Sequence, residues 1–174
     1  DVAGSLPPAL CKAGHDARVV LPLYKNVKPE LRSGLEFITN FTVDVGWRKQ
    51  YCGVFSMVHD GVTFYFIDNE YYFNGDKPYD FIHLDCEKFI FFSKAVLSLL
   101  PTIDFRPDVI NCNDWQTGMI PVLLKAHYGC DDRYNAIKTV MTIHNLKFQG
   151  IYDIKTMRDV CELEDSYFTS DKLE

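Results

Sequence analysis

With 174 residues, 47% of them apolar and 24% charged, the chain has the composition of a folded globular domain and enough length to bury a core. Its net charge of −6 argues against nucleic acid or an anionic membrane surface as a partner, because neither would gain counterion release or attraction. The most apolar stretch, residues 89–100, is interrupted by Ser93, Lys94 and Ser98, so it reads as a core helix and not as a membrane span.

Residues 1–14 are predicted to be a helix, with Leu6, Ala9, Leu10 and Ala13 at helical spacing, Pro7 and Pro8 in its first turn and Gly14 at its C-cap. The β-branched run 17–22 follows as a buried strand. Helix, glycine, loop and strand form the second half of a βαβ unit, so the first strand of the fold is expected to precede Asp1 and the sheet to be incomplete. Alternating apolar residues (Phe37, Thr39, Phe41, Val43, Val45) predict a β-hairpin over about 36–58, and Asp60-Gly61 a tight turn into a strand at 62–67. Residues 70–79 read as an aromatic, turn-rich loop. The longest helix is expected from Asp80, its N-cap, to Leu100, with Pro101 as its stop. A strand at 109–112, a helix at 117–128, a strand at 138–143 and a short helix near 154–160 complete the pattern, with a polar tail beyond 164. Alternating strands and crossover helices predict a single three-layer, Rossmann-like α/β domain over 1–174, mainly parallel, with one hairpin insertion.

Two segments carry most of the chemistry. Asp108-Val-Ile-Asn-Cys-Asn-Asp-Trp-Gln-Thr-Gly118 and Thr139-Val-Met-Thr-Ile-His-Asn-Leu-Lys-Phe-Gln-Gly150 each run from an apolar strand into polar residues. Asn113, Asp114 and Gln116 in the first, and His144, Asn145 and Gln149 in the second, suit a hydroxyl-rich ligand at the carboxyl edge of a parallel sheet. Asp114 has a structural alternative as a cap for helix 117–128, and Trp115 as a core residue. The helix start Asp1-Val-Ala-Gly-Ser5 offers a hydroxyl and backbone amides to an anionic oxygen. Neither of the two segments contains a serine triad, a metal triad or a Walker lysine. The six cysteines are scattered without metal-like spacing, and Cys86 and Cys112 lie inside apolar runs. Reduced thiols and a cytoplasmic setting are therefore expected.

These segments resemble the bacterial glycogen synthase and plant starch synthase family, which carries Asp-Trp-(Gln/His)-(Thr/Ala)-(Gly/Ala) and Thr-(Ile/Val)-His-Asn-Leu-x-(Tyr/Phe)-Gln-Gly at this separation. Asp1-Val-Ala-Gly-Ser-Leu-Pro-Pro-Ala-Leu10, Gly14-His-Asp-Ala-Arg-Val-Val-Leu-Pro-Leu-Tyr24 and Asp68-Asn-Glu-Tyr-Tyr-Phe73 extend the likeness over nearly the whole chain. The resemblance implies the N-terminal half of a retaining GT-B glycosyltransferase, which moves glucose from ADP-glucose to the non-reducing end of an α-1,4-glucan without a metal or other cofactor. It further implies that His144 stands near the donor glucose and that Asp114 and Gln116 line the acceptor side. Asn145 and Gln149 would line the same pocket as His144, with Asp1 near the donor phosphates and Tyr72 in a loop toward the acceptor.

Three departures matter. The Lys-(Thr/Val)-Gly-Gly-Leu loop is absent, the C-terminal domain with its phosphate-binding Arg/Lys pair is absent, and Gln116 stands where many relatives carry His. The chain by itself is therefore expected to be inactive. A GT-B transferase with another donor, or a non-catalytic glucan-binding module, are the alternative readings.

Overall fold

The computed structural model describes residues 2–79 and 82–173. Asp1, expected near the donor phosphates, and Asp80, expected as a helix N-cap, lie outside the described residues. The chain divides into two compact units. The first holds residues 2–42 and 51–78, and the second holds 43–50, 79 and 82–173.

The first unit is built on a four-stranded sheet. Helix α1 (Val2–Lys12) leads through Gly14, at φ 93°, into strand β1 (Arg18–Pro22). Pro7 and Pro8 lie inside α1 and not in its first turn. A one-turn helix α2 (Pro29–Arg32) precedes the long strands β2 (Glu36–Val45) and β3 (Arg48–His59), and β4 (Val62–Asp68) follows. The strand order is β1-β4-β3-β2. Strand β4 pairs parallel with β1, Arg18 opposite Thr63, and antiparallel with β3, Gly53 opposite Asp68. The β3–β4 turn has Asp60 at φ 50° and Gly61 at φ 76°, two left-handed residues in a row, as the twist of a two-residue hairpin demands. Beyond β4, the expected loop contains a helical turn, α3 (Glu70–Phe73), because the Asn69 side chain accepts the Tyr72 N–H and caps it.

The second unit is organised around α4 (Ile82–Thr102). All residues from 86 to 100 except Glu87 and Ser98 are buried. The helix runs through Pro101, where the sequence predicts a stop. Proline removes the N–H that would reach the Leu97 carbonyl, and the Tyr134 hydroxyl donates to that carbonyl instead, at 2.9 Å. Against α4 pack α5 (Ile120–Tyr128) and α6 (Ile154–Cys161). Strands β5 (Val109–Asn113) and β6 (Lys138–Thr142) form a separate parallel pair, with Asn113 opposite Thr142. The α/β class, the β5–α5–β6 crossover and the hairpin excursion thus match expectation, while the strands fall into two sheets, the larger of them mixed and not mainly parallel. No helix among the described residues is long and apolar enough to cross a membrane.

Candidate functional site

The polar residues singled out in the sequence converge where β5 and β6 end. Strand β5 stops at Asn113, and Asp114 turns the chain away at φ 57°, ψ −178°. That backbone region is essentially reserved for glycine and costs about 1–3 kcal/mol for any other residue. Hydrogen bonds on both sides hold it. The Asp114 N–H donates to the Thr142 carbonyl at 2.8 Å, and its Oδ1 accepts the His144 N–H at 2.7 Å and the Asn145 N–H at 3.4 Å. The carboxylate is thus engaged by the loop after β6 and does not cap a helix. A 3-10 turn (Trp115–Thr117) follows without a side-chain cap, and α5 begins three residues later than the sequence suggests.

His144 and Asn145 sit on that loop, both exposed. The His144 Nε2 lies 2.9 Å from Asn113 Oδ1. Asn145 Oδ1 accepts the Lys147 N–H at 3.0 Å and shapes the turn, and Gln149 Nε2 donates to the Leu146 carbonyl at 3.1 Å. Gln116 donates to the Tyr79 hydroxyl. Four of the eight predicted residues, Asn113, Asp114, His144 and Asn145, are therefore joined by hydrogen bonds on one polar shelf, while Gln116 and Gln149 line the cavity behind it. Among the described residues no group of His, Cys, Asp or Glu is arranged to hold a metal ion.

Behind the shelf Trp115 is half-buried in an aromatic cluster. Its ring stacks on Tyr79 at 6.1 Å between centroids, meets Phe89 edge-on at 4.9 Å and touches Tyr152 at 5.9 Å. Gly150, at φ 62°, lies against this ring so closely that a Cβ there would sit 2.3 Å from Trp115 Cε3. The close approach that a glycine permits is spent on Trp115. Beneath lies a mostly apolar cavity of about 370 Å³ between Phe89, Ile90, Met119, Met141 and Met157, with Gln116 and Gln149 on its wall. Cys86 also lines it, and burial pushes that thiol up to about 12.

Tyr72 behaves differently from expectation. It belongs to the first unit, lies in α3 and not in a loop, and is 1% exposed, with its ring against Tyr71 and Phe73. The exposed ring of that turn is Tyr71. Glu70-Tyr-Tyr-Phe73 puts three rings in succession, and a single turn is too short for a period to show which of them it buries.

A family model described as the starch synthase catalytic domain matches residues 1–174, the whole chain. The chain belongs to this family. The glycogen synthase of Lachnospira eligens is 58% identical over 174 residues, covering 100% of this chain and 36% of that protein. Those of Lachnoclostridium phytofermentans and Caldicellulosiruptor bescii are 50% and 51% identical, again with 36% of their length covered. The chain thus spans about a third of the curated relatives it matches. Among solved structures, the catalytic domain of starch synthase IV from Arabidopsis thaliana, bound to ADP and acarbose, superposes with a TM-score of 0.88 at 23% identity. It covers 99% of this chain and 35% of the other, and it establishes the shared fold.

Asn111, Thr142 and Tyr79 also enter these contacts, and the sequence does not single them out. Thr142 Oγ1 donates to Asn111 Oδ1 at 2.8 Å, and the Asn111 carbonyl accepts Asn113 Nδ2 at 3.4 Å. Asn111 and Asn113 share a strand face by the two-residue period of β5, which is the signal that would have paired them.

Proposed function

We propose that the polypeptide containing this chain is a cytoplasmic, retaining glucosyltransferase that extends α-1,4-glucans from ADP-glucose, and that this chain is part of its N-terminal Rossmann-like domain. The observation that carries the reading is the joining of Asp114 and His144. A strained aspartate is held by the backbone of the loop that presents the histidine, in a chain 58% identical to a glycogen synthase. Strain of this kind survives where the surroundings over-determine it, and it gathers at sites that must be pre-organised.

Departure of a nucleoside diphosphate leaves an oxocarbenium-like sugar, so the site must hold that sugar while the acceptor hydroxyl attacks the same face. His144 hydrogen-bonds the donor glucose. Asp114 fixes the loop that carries His144, and Asn113, Gln116, Asn145 and Gln149 hydrogen-bond the sugars. Tyr72, a buried ring, supports α3 in this reading. Asp1 stands near the donor phosphates by the resemblance alone, and the chemistry calls for no metal or other cofactor.

Full-length protein assayed with ADP-glucose and with UDP-glucose, on a glycogen primer, tests the reading. Transfer from ADP-glucose is expected. Preference for UDP-glucose would mean a related transferase with another donor, and primer binding without transfer would mean a glucan-binding module. The 174-residue chain alone should show no transfer and only about millimolar affinity for maltooligosaccharide, because an exposed shelf leaves each hydrogen bond competing with water. Micromolar binding of ADP-glucose by this chain in isothermal titration would move the donor site onto it.

A further inference from the structure

The Asn113 amide has a defined orientation. Its Nδ2 donates to the Asn111 carbonyl at 3.4 Å, and Asn111 is itself held by Thr142 Oγ1 at 2.8 Å. That leaves Oδ1 facing His144 Nε2, 2.9 Å away. A carboxamide oxygen accepts and cannot donate, so the proton of a neutral ring must sit on Nε2. We propose that Asn113 is a positioning residue that sets the tautomer of His144, with Nε2–H bound to Asn113 Oδ1 and the bare Nδ1 presented as a hydrogen-bond acceptor to a sugar hydroxyl.

The two ends of His144 are then fixed by consecutive residues of one strand end. Asp114 holds the backbone N–H at 2.7 Å and Asn113 holds the far ring nitrogen. The Asn113 bond is what favours one orientation of the exposed ring. The parallel register supplies the geometry, since Asn113 pairs with Thr142, two residues before His144, on one face of the β5–β6 pair. An acceptor nitrogen also suits a sugar that gains positive charge, toward which a ring proton would be repelled. The ligand half of this inference rests on the synthase reading above, and the tautomer half does not.

Ring-nitrogen NMR of the full-length protein, labelled at histidine and assigned by loss of the signal in His144→Gln, tests it. The parent should show the Nε2–H form almost exclusively. Asn113→Ala should let the ratio relax about fivefold, the worth of one hydrogen bond, toward that of a free histidine side chain. Asn113→Asp, which keeps an acceptor at the same place, should restore the Nε2–H form, a recovery that a merely structural role would not produce. An Nδ1–H ring in the parent, or a ratio unmoved by Asn113→Ala, overturns the proposal. If the ratio follows Asn113 but His144→Ala turns over normally, the positioning stands and the synthase role of His144 fails.

Discussion

Helix α4 and the β5–β6 pair lie in the same unit and both read as apolar in sequence, yet they end in opposite environments. From residue 86 to 100 the helix is buried all round, to the point of enclosing Lys88 at 0% and Lys94 at 8% exposure. Within this chain, which spans 36% of the length of a curated relative, strand β6 has no buried residue, and Val140, Met141 and Ile143 are exposed. Hydrophobicity therefore says what could be buried, and neighbouring elements decide what is. The polar shelf stands on the exposed partner of this contrast. The buried partner supplies rigidity through α5, α6 and the Trp115 cluster. The buried charges of α4 are provided for. Lys94 bonds the Asp44 carbonyl and the Glu162 carboxylate, Lys88 bonds Asp85, and Arg48 bonds Glu87 and Asp159.

The sharpest way to break the contrast is to show that the exposed partner does not carry the chemistry. His144→Ala in the full-length enzyme should lower kcat for transfer from ADP-glucose by roughly 10²-fold or more. Near-normal turnover would overturn the proposed role of His144 at the donor sugar. The seam between the two regions is tested by Gly150→Ala. A Cβ 2.3 Å from the Trp115 ring, at φ 62°, combines a clash with a strained backbone. The cost should be about 2–4 kcal/mol, read by denaturant unfolding. A loss under about 0.5 kcal/mol would mean that Trp115 shifts freely, contrary to its packing.

The buried partner has its own test. Asp85, 8% exposed, is paired at 3.2 Å with the fully buried Lys88. Asp85→Ala should cost up to about 3–5 kcal/mol, because it weakens the compensation of a buried ammonium, whereas Asp85→Leu with Lys88→Met should be nearly neutral. Equal losses from the single and double variants would show that burial of the apolar stems, and not the pairing of charge, decides stability in α4.

Much of this is legible in the sequence for a simple reason: short apolar runs bounded by turn residues mark strands, and such runs stand at 17–22, 62–67, 109–112 and 138–143. What stayed hidden depends on partners distant in sequence. Pro101 reads as a stop, and nothing local shows that the Tyr134 hydroxyl will satisfy the Leu97 carbonyl it orphans. The helix after Asp114 starts late because the carboxylate expected at its cap is claimed by His144, thirty residues away. Asp114 and His144 could be placed at one sheet edge from their positions after strands, but the Asn113–His144 bond needs the β5–β6 register. The helices α2 and α3 are single turns, created by Pro29 near one start and by Asn69 at the other, too short for any period to appear.

The smallest effect expected near neutral pH comes from the thiols, and it sharpens the contrast because β5 has one face in each environment. Cys112, at 0% exposure, lies between Asn111 and Asn113, which are exposed. Burial pushes its thiol up to about 11, and pushes those of Cys52, Cys86 and Cys161 up to about 12. Ordinary thiols ionise near 9, so between that pH and about 12 the unfolded chain has released protons that the folded chain still holds. Stability from these groups is accordingly complete below pH 9 and declines as pH rises through that window. At about pH 8 an aromatic disulfide reagent should react promptly with Cys130, the one exposed thiol among the six, and with the buried ones only after denaturant is added. Rapid labelling of Cys112 in the native chain would show that the inner face of β5 opens as readily as its outer one, and the division between the covered and uncovered regions would not hold.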